Sequence, residues 1–150
     1  MASNDTISVL NRVLALLSKS LPQYLRYSRP YIPISRQMVL DTVEEIAADQ
    51  TMLAERFSQQ ILDAGGQPDT GAFPMEFTDT NDLSINHLLR EAIRYQREEI
   101  ETLESCRDEL ATAPMARALV EEAIGMAKGH LESLEELPAA DASKKPAIVE

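Results

Sequence analysis

The sequence of 150 residues has one cysteine, no tryptophan and few aromatic residues, and these shortages exclude several classes of protein. A single thiol cannot form an internal disulfide, so the chain is not a disulfide-stapled secreted domain. No apolar run approaches the ~18 residues that a membrane-spanning helix needs. The N-terminus lacks a basic segment followed by an apolar one, so we predict no secretion signal, a mature chain that starts there, and a cytoplasmic location.

Basic residues are also scarce. Fourteen Lys and Arg residues face 25 Asp and Glu residues, which gives a net charge of −11 and a pI near 4.6. This balance opposes binding to a phosphate backbone, so neither nucleic acid nor a membrane is an expected partner. Glycine and proline are few and lie mainly between periodic segments, which is typical of an all-α protein of one domain.

Apolar residues recur at three- and four-residue steps in four segments, each of which predicts an amphipathic helix. Pro22 lies inside the first segment, where we expect it to kink the helix without ending it. The first predicted helix runs from an Asn4 or Asp5 cap to about Tyr27, and the second from a Ser35 cap to about Ala64. The third runs from a Thr80 or Asn81 cap to about Cys106, and the fourth from Pro114 to a stop at Pro138.

The stretch from Gly65 to Asp82 has no helical periodicity and separates two helical hairpins. A connector of about 17 extended residues can span about 56 Å. A helix of about 28 residues is only about 42 Å long. We therefore predict an all-α, antiparallel four-helix bundle at residues 1–138, with one long crossover that makes helices two and three parallel, and a loose C-terminal tail at 139–150.

Two features of the apolar stripes leave alternatives open. Val9, Val13 and Leu16 widen the apolar surface of the first helix, so that helix is either deeply buried or covered by a second subunit. Gln50 lies on the apolar line of the second helix, and a buried amide without partners costs about 1–3 kcal/mol. We therefore predict a polar neighbour for Gln50 inside the bundle.

Four stretches resemble the bacterioferritins of the ferritin-like superfamily, over about residues 9 to 137. They occur in the order and with the spacing of that family: LNRVLALLSKSLPQYLRYSRPYI, ERFSQQILDAGGQPD, HLLREAIRYQ and GHLESLEEL. The resemblance implies the ferritin-like fold. It also implies oxidation of ferrous iron at a di-iron site and storage of the ferric mineral in a hollow 24-subunit shell.

The resemblance also implies where the metal ligands would lie, and most of those positions hold residues that cannot bind iron. The family's first Glu falls on Leu17, its first Glu-x-x-His pair on Gln50 and Leu53, and the Glu of its second pair on Ala127. His130 matches the second histidine and Asp82 lies close to the helix-three glutamate, so these two residues are the candidate metal ligands. The usual haem-ligand methionine falls on Thr51, which makes the adjacent Met52 the haem candidate.

We expect Leu17, Leu53 and Ala127 to fill the former site, with His130 and Gln50 hydrogen-bonded to each other. The predicted function is iron storage or iron homeostasis, as a shell subunit without a working ferroxidase centre and with iron as a possible cofactor. The alternative is a structural or interaction module with no metal function. Expected partners are further copies, as a dimer or shell through helices one and two, or an active ferritin-like subunit.

One acidic run could serve either function. It is a solvated face of the third helix or, inside a shell, a surface on which ferric mineral starts to grow. Its members are Glu98, Glu99, Glu101, Glu104, Asp108 and Glu109.

Overall fold

A computed structural model describes residues 3–82 and 84–138, with the side chains of residues 81 and 82 left out. The helices are α1 (Asn4–Ser18), α2 (Leu21–Tyr27), α3 (Gln37–Asp63), α4 (Ile85–Asp108) and α5 (Pro114–Glu135). Short 3-10 segments lie at Ile34–Arg36 and Met75–Asp82. The predicted all-α helical bundle is confirmed, whereas the predicted tail at 139–150 lies outside the described residues. None of the described helices is long and apolar enough to cross a bilayer.

The first bundle helix is broken, and the prediction of one kinked helix to Tyr27 was wrong. α1 ends before Lys19, and the Ser20 hydroxyl caps α2 by accepting a hydrogen bond from the backbone N–H of Gln23 at 3.4 Å. Pro22 lies in the first turn of α2, where a missing N–H removes no helical hydrogen bond. The break buries Ser20 between two helical segments, with 8 % of its surface exposed.

The other helix starts also differ from the predicted caps. α1 is capped by Ser3 and α4 by Ser84, whose hydroxyls accept hydrogen bonds from backbone N–H groups at 3.1 and 3.3 Å. α3 follows a 3-10 turn and has no side-chain cap. The predicted caps that this overturns are Asn4 or Asp5, Ser35, and Thr80 or Asn81. α4, the third predicted helix, starts at Ile85, later than predicted, because residues 75–82 form a 3-10 helix instead.

The core is formed by the predicted apolar faces. The spacing of apolar residues in the second predicted helix, which is α3, gives one inward line, and all of its members are buried: Val39, Val43, Ile46, Gln50, Leu53, Phe57 and Ile61. Phe57 is completely enclosed. Val9 and Val13 are only 5 % and 0 % exposed, and Leu16 is half-buried. Of the two alternatives for the wide apolar surface of the first helix, the structure supports burial within the chain.

The crossover is fastened to α1 before it reaches α4. The Asn11 side chain donates to the Gln67 carbonyl at 3.1 Å and accepts from the Asp69 N–H at 2.8 Å. Gly71 has a φ of +70°, and a side chain there would meet the Cβ of Ala15 at 3.0 Å. Glycine therefore allows both the turn and the close approach. The connector thus runs along the bundle as the topology requires.

We predict that Phe57→Ala lowers the free energy of unfolding by about 3–5 kcal/mol, because it removes an enclosed ring and leaves a cavity. Met52→Ala, on the same helix, is the matched control. Met52 is 66 % exposed, so its truncation should change stability by less than about 0.5 kcal/mol. Urea denaturation followed by circular dichroism measures both values. Equal effects would contradict this assignment of the core.

Candidate functional site

Four buried polar side chains form a hydrogen-bonded group at the centre of the bundle, which we name the central polar cluster: Ser20, Gln50, Gln96 and Glu99. They are 8 %, 1 %, 3 % and 5 % exposed. The Ser20 hydroxyl donates to Gln50 Oε1 at 2.7 Å, and Gln50 Nε2 donates to Glu99 Oε1 at 3.2 Å. The prediction that Gln50 has polar neighbours inside the bundle is confirmed.

The cluster continues from α4 to α5. Gln96 and Glu99 are three residues apart and share one face of α4. Gln96 Nε2 donates to Glu99 Oε2 at 3.4 Å and to the Ala127 carbonyl at 3.1 Å. One chain of hydrogen bonds therefore links the α1–α2 break, α3, α4 and α5.

The surroundings of Glu99 favour its protonated form. Burial raises the pKa of this carboxyl to about 8, although the hydrogen bond from Gln96 acts in the opposite direction. A group with that pKa is mostly protonated at pH 7. The centre of the bundle therefore holds two amides, a hydroxyl and a carboxylic acid, without a net charge.

His130 does not join the cluster, and the predicted hydrogen bond between His130 and Gln50 was wrong. His130 Nε2 lies 2.9 Å from Oδ2 of Asp49, which is half-exposed on α3. Nδ1 is buried and has no hydrogen-bond partner among the described residues. Asp49 and Gln50 are consecutive residues of α3, so their side chains point in directions about 100° apart. Asp49 contacts the imidazole, whereas Gln50 bonds to Ser20 and Glu99.

The other predicted site positions are divided between the interior and the surface. Leu17, Leu53 and Ala127 are each 2 % exposed, so apolar side chains are buried at three of the four positions where the resemblance implies that a ligand has been replaced. Met52, the haem candidate, points outward. The side chain of Asp82, the second metal candidate, lies outside the described residues. The pairing of Asp82 with His130 at a metal site therefore stays a prediction.

The central residues do not fit a di-iron centre. Such a centre needs several carboxylates that bridge two irons, and an imidazole for each iron. The cluster offers one protonated carboxyl and two amides, and amides are poor ligands for iron. Among the described residues, no three His, Cys, Asp or Glu side chains are grouped closely enough to hold a metal ion.

Glu99 is the site residue that the sequence interpretation missed. The sequence assigns Glu99 to the acidic run, as part of a solvated or mineral-binding face, and this assignment is wrong because the side chain is buried. The available signal was its spacing, because it lies three residues after Gln96 and four before Leu103, and both of these are buried on α4. Four other members of the run form ion pairs: Glu98 with Arg94, Glu104 with Lys128, Asp108 with Arg107 and Glu109 with Arg12.

A comparison with solved structures identifies the fold. The chain is similar to a ferritin-like di-iron carboxylate protein from Bacillus anthracis strain Ames, with a TM-score of 0.73 and 22% sequence identity over 89% of this chain and 97% of that one. The bundle therefore has the ferritin-like fold that the sequence predicted. No protein-family model and no curated protein sequence matches the chain.

We predict that Glu99 makes stability depend on pH. Its pKa is about 8 when folded, against an ordinary value of 4.5. The folded state therefore holds a proton that the unfolded state has lost between these values. The stability that this bound proton contributes to the folded state is fully present below pH 4.5. It is lost as the pH rises to 8, by up to about 1.4 kcal/mol per pH unit.

Urea denaturation from pH 5 to 9 tests this effect on the wild type, Glu99→Gln and the exposed control Glu101→Gln. Glu99→Gln should gain stability relative to the wild type as the pH rises to 8, and then hold a constant difference. Glu101→Gln should follow the wild type throughout. Parallel curves for the wild type and Glu99→Gln would show that Glu99 is not protonated in the folded protein.

Proposed function

We propose that this chain is a ferritin-like structural or protein-interaction module with no di-iron chemistry at its centre. The observation that carries this proposal is the central polar cluster, in which the buried side chains of Gln50, Gln96 and Glu99 bond to one another. These hydrogen bonds connect α3, α4 and α5 to the α1–α2 break, so the cluster has a structural role in holding the helices together. The apolar side chains of Leu17 and Leu53 support the same interpretation.

The interaction surface of this module would be the outer face of the first two helices of the bundle, which are the broken helix α1–α2 and α3. Large apolar side chains are exposed there, including Tyr27 and Leu62. The partner on this face would be a second copy, as a dimer or a larger shell, or an active ferritin-like subunit. The single cysteine is buried and free, which suits the cytoplasmic location that we expect.

A second candidate function is bacterioferritin-like iron storage or homeostasis, as a shell subunit that lacks a ferroxidase centre. The ferritin-like fold, the net charge of −11 and the exposed carboxylates of α4 favour it. Ferric mineral would then grow on acidic residues of an inner surface. The ion pairs of Glu98 and Glu109 weigh against this role, since paired carboxylates are less available to a cation.

We predict that the purified chain oxidises ferrous iron under air no faster than buffer alone, because its centre lacks bridging carboxylates. Stopped-flow absorbance measures the rate, and a ferritin with an intact di-iron centre is the positive control. Rapid oxidation at two irons per chain would overturn the proposal. Particle mass and bound iron then distinguish the two functions: an iron-free dimer supports the module, whereas an iron-filled shell supports storage.

A variant that restores the family's ligand types provides a matched comparison. It combines Leu17→Glu, Gln50→Glu, Leu53→His and Ala127→Glu. If these positions surround a former metal site, the folded variant should bind two Co²⁺ ions with tetrahedral or five-coordinate visible absorption, while the wild type shows none. Absence of binding by a folded variant would contradict the ligand positions. Stoichiometric Co²⁺ binding by the wild type would contradict the metal-free centre.

A further inference from the structure

A cavity of about 410 Å³ lies beside the central polar cluster, between the first bundle helix and α4 and beneath the crossover. Its volume is within the range of small-molecule sites, about 300–1,000 Å³. Exposed residues such as Pro74 and Thr102 form part of its wall, so it opens to solvent. The structural task of the cluster does not require such a space.

Three polar side chains in the cavity wall are more than nine-tenths buried: Ser20, Gln96 and Glu99. Each Glu99 oxygen accepts one amide hydrogen bond, whereas a carboxylate can accept about four. The Gln96 amide nitrogen donates two hydrogen bonds, and its carbonyl oxygen accepts none from the described residues. When Glu99 is ionised, the wall therefore has unused acceptors for the hydrogen-bond donors of a ligand.

The charged groups around Glu99 already have other partners. Arg12 pairs with Glu109, and Lys19 lies over the Phe73 ring at 5.2 Å. Of the other acids in the wall, Glu98 pairs with Arg94, and Glu76 accepts a hydrogen bond from the Tyr95 hydroxyl. On the α3 and α5 side, Asp49 and His130 contact each other. Arg12 and Lys19 line the same cavity, but no described basic side chain forms an ion pair with Glu99, so its carboxyl has no cationic partner within the described part of the chain.

We propose that this cavity binds a small organic cation, a primary amine with an apolar body, whose ammonium group pairs with Glu99 and donates to the Gln96 carbonyl. Charge-assisted hydrogen bonds of this kind compensate for the removal of both groups from water. The aromatic rings of Phe77 and Tyr95 lie in the same wall and would contact the apolar body. This site goes beyond the proposed function, which assigns the chain no ligand.

The pairing makes binding depend on pH. Glu99 is protonated below its pKa of about 8, so a bound ammonium group displaces one proton from the carboxyl. The proton passes to the buffer and no covalent bond changes in the ligand. Affinity for an amine should therefore rise about tenfold per pH unit between pH 6 and 8 and then level off.

Isothermal titration calorimetry of the full chain with phenethylamine tests the proposal. At pH 7, titrations in two buffers of different ionisation enthalpy should reveal release of close to one proton per bound amine. Two probes carry no positive charge: 2-phenylethanol, which is isosteric with phenethylamine, and the anion 3-phenylpropionate. Both should bind at least about tenfold more weakly. No binding of phenethylamine, or tighter binding of 3-phenylpropionate, would overturn the proposal.

Three variants locate the binding site. Glu99→Gln should abolish proton release and weaken phenethylamine binding at pH 8 by about tenfold or more. Thr102→Trp fills the cavity from its exposed side and should weaken binding without changing the cluster. Glu101→Gln removes a charge outside the wall and should bind as the wild type does. Unchanged affinity in Thr102→Trp would exclude this cavity, even if Glu99→Gln failed to fold.

Discussion

The packing of this bundle depends on four buried polar side chains that must find their hydrogen-bond partners in one another. Apolar side chains tolerate small shifts along a helix, but these groups do not. A slip of one helical turn, about 5.4 Å, between α3 and α4 would separate Gln50 from Glu99. Each group left without a partner would cost about 1–3 kcal/mol. The cluster therefore fixes the relative position of the helices more sharply than the apolar layers on either side of it.

The parallel orientation of α3 and α4 imposes a second constraint, which is a connector as long as the bundle. This chain fastens the connector to α1 through Asn11 and Gly71, and ends it in the aromatic contact of Phe77 with Tyr95. Since Phe77 and Tyr95 also belong to the cavity wall, the segment that makes the topology possible also encloses a space beside Glu99. Topology and candidate site are therefore built from the same residues.

The spacing of apolar residues predicted the helices and their inward faces, because burial of a stripe follows directly from its period. It did not predict the break at Ser20. Pro22 is compatible both with a kinked helix and with the first turn of a new one, and tertiary contacts decide between them. The partner of His130 was missed for a similar reason, since helical spacing does not give contacts across helices. Glu99 lies in an acidic stretch, and only its three-dimensional position reveals that it is buried.

A structural role alone does not explain why position 99 holds a glutamate. A glutamine there could exchange hydrogen bonds with Gln50 and Gln96 and would avoid the burial of an ionisable group. What the carboxyl adds is a second charge state. Both amides donate to its oxygens, and they can do so whether Glu99 is protonated or ionised. The cluster can thus accept a change of charge beside the cavity while the hydrogen bonds that hold the helices stay in place.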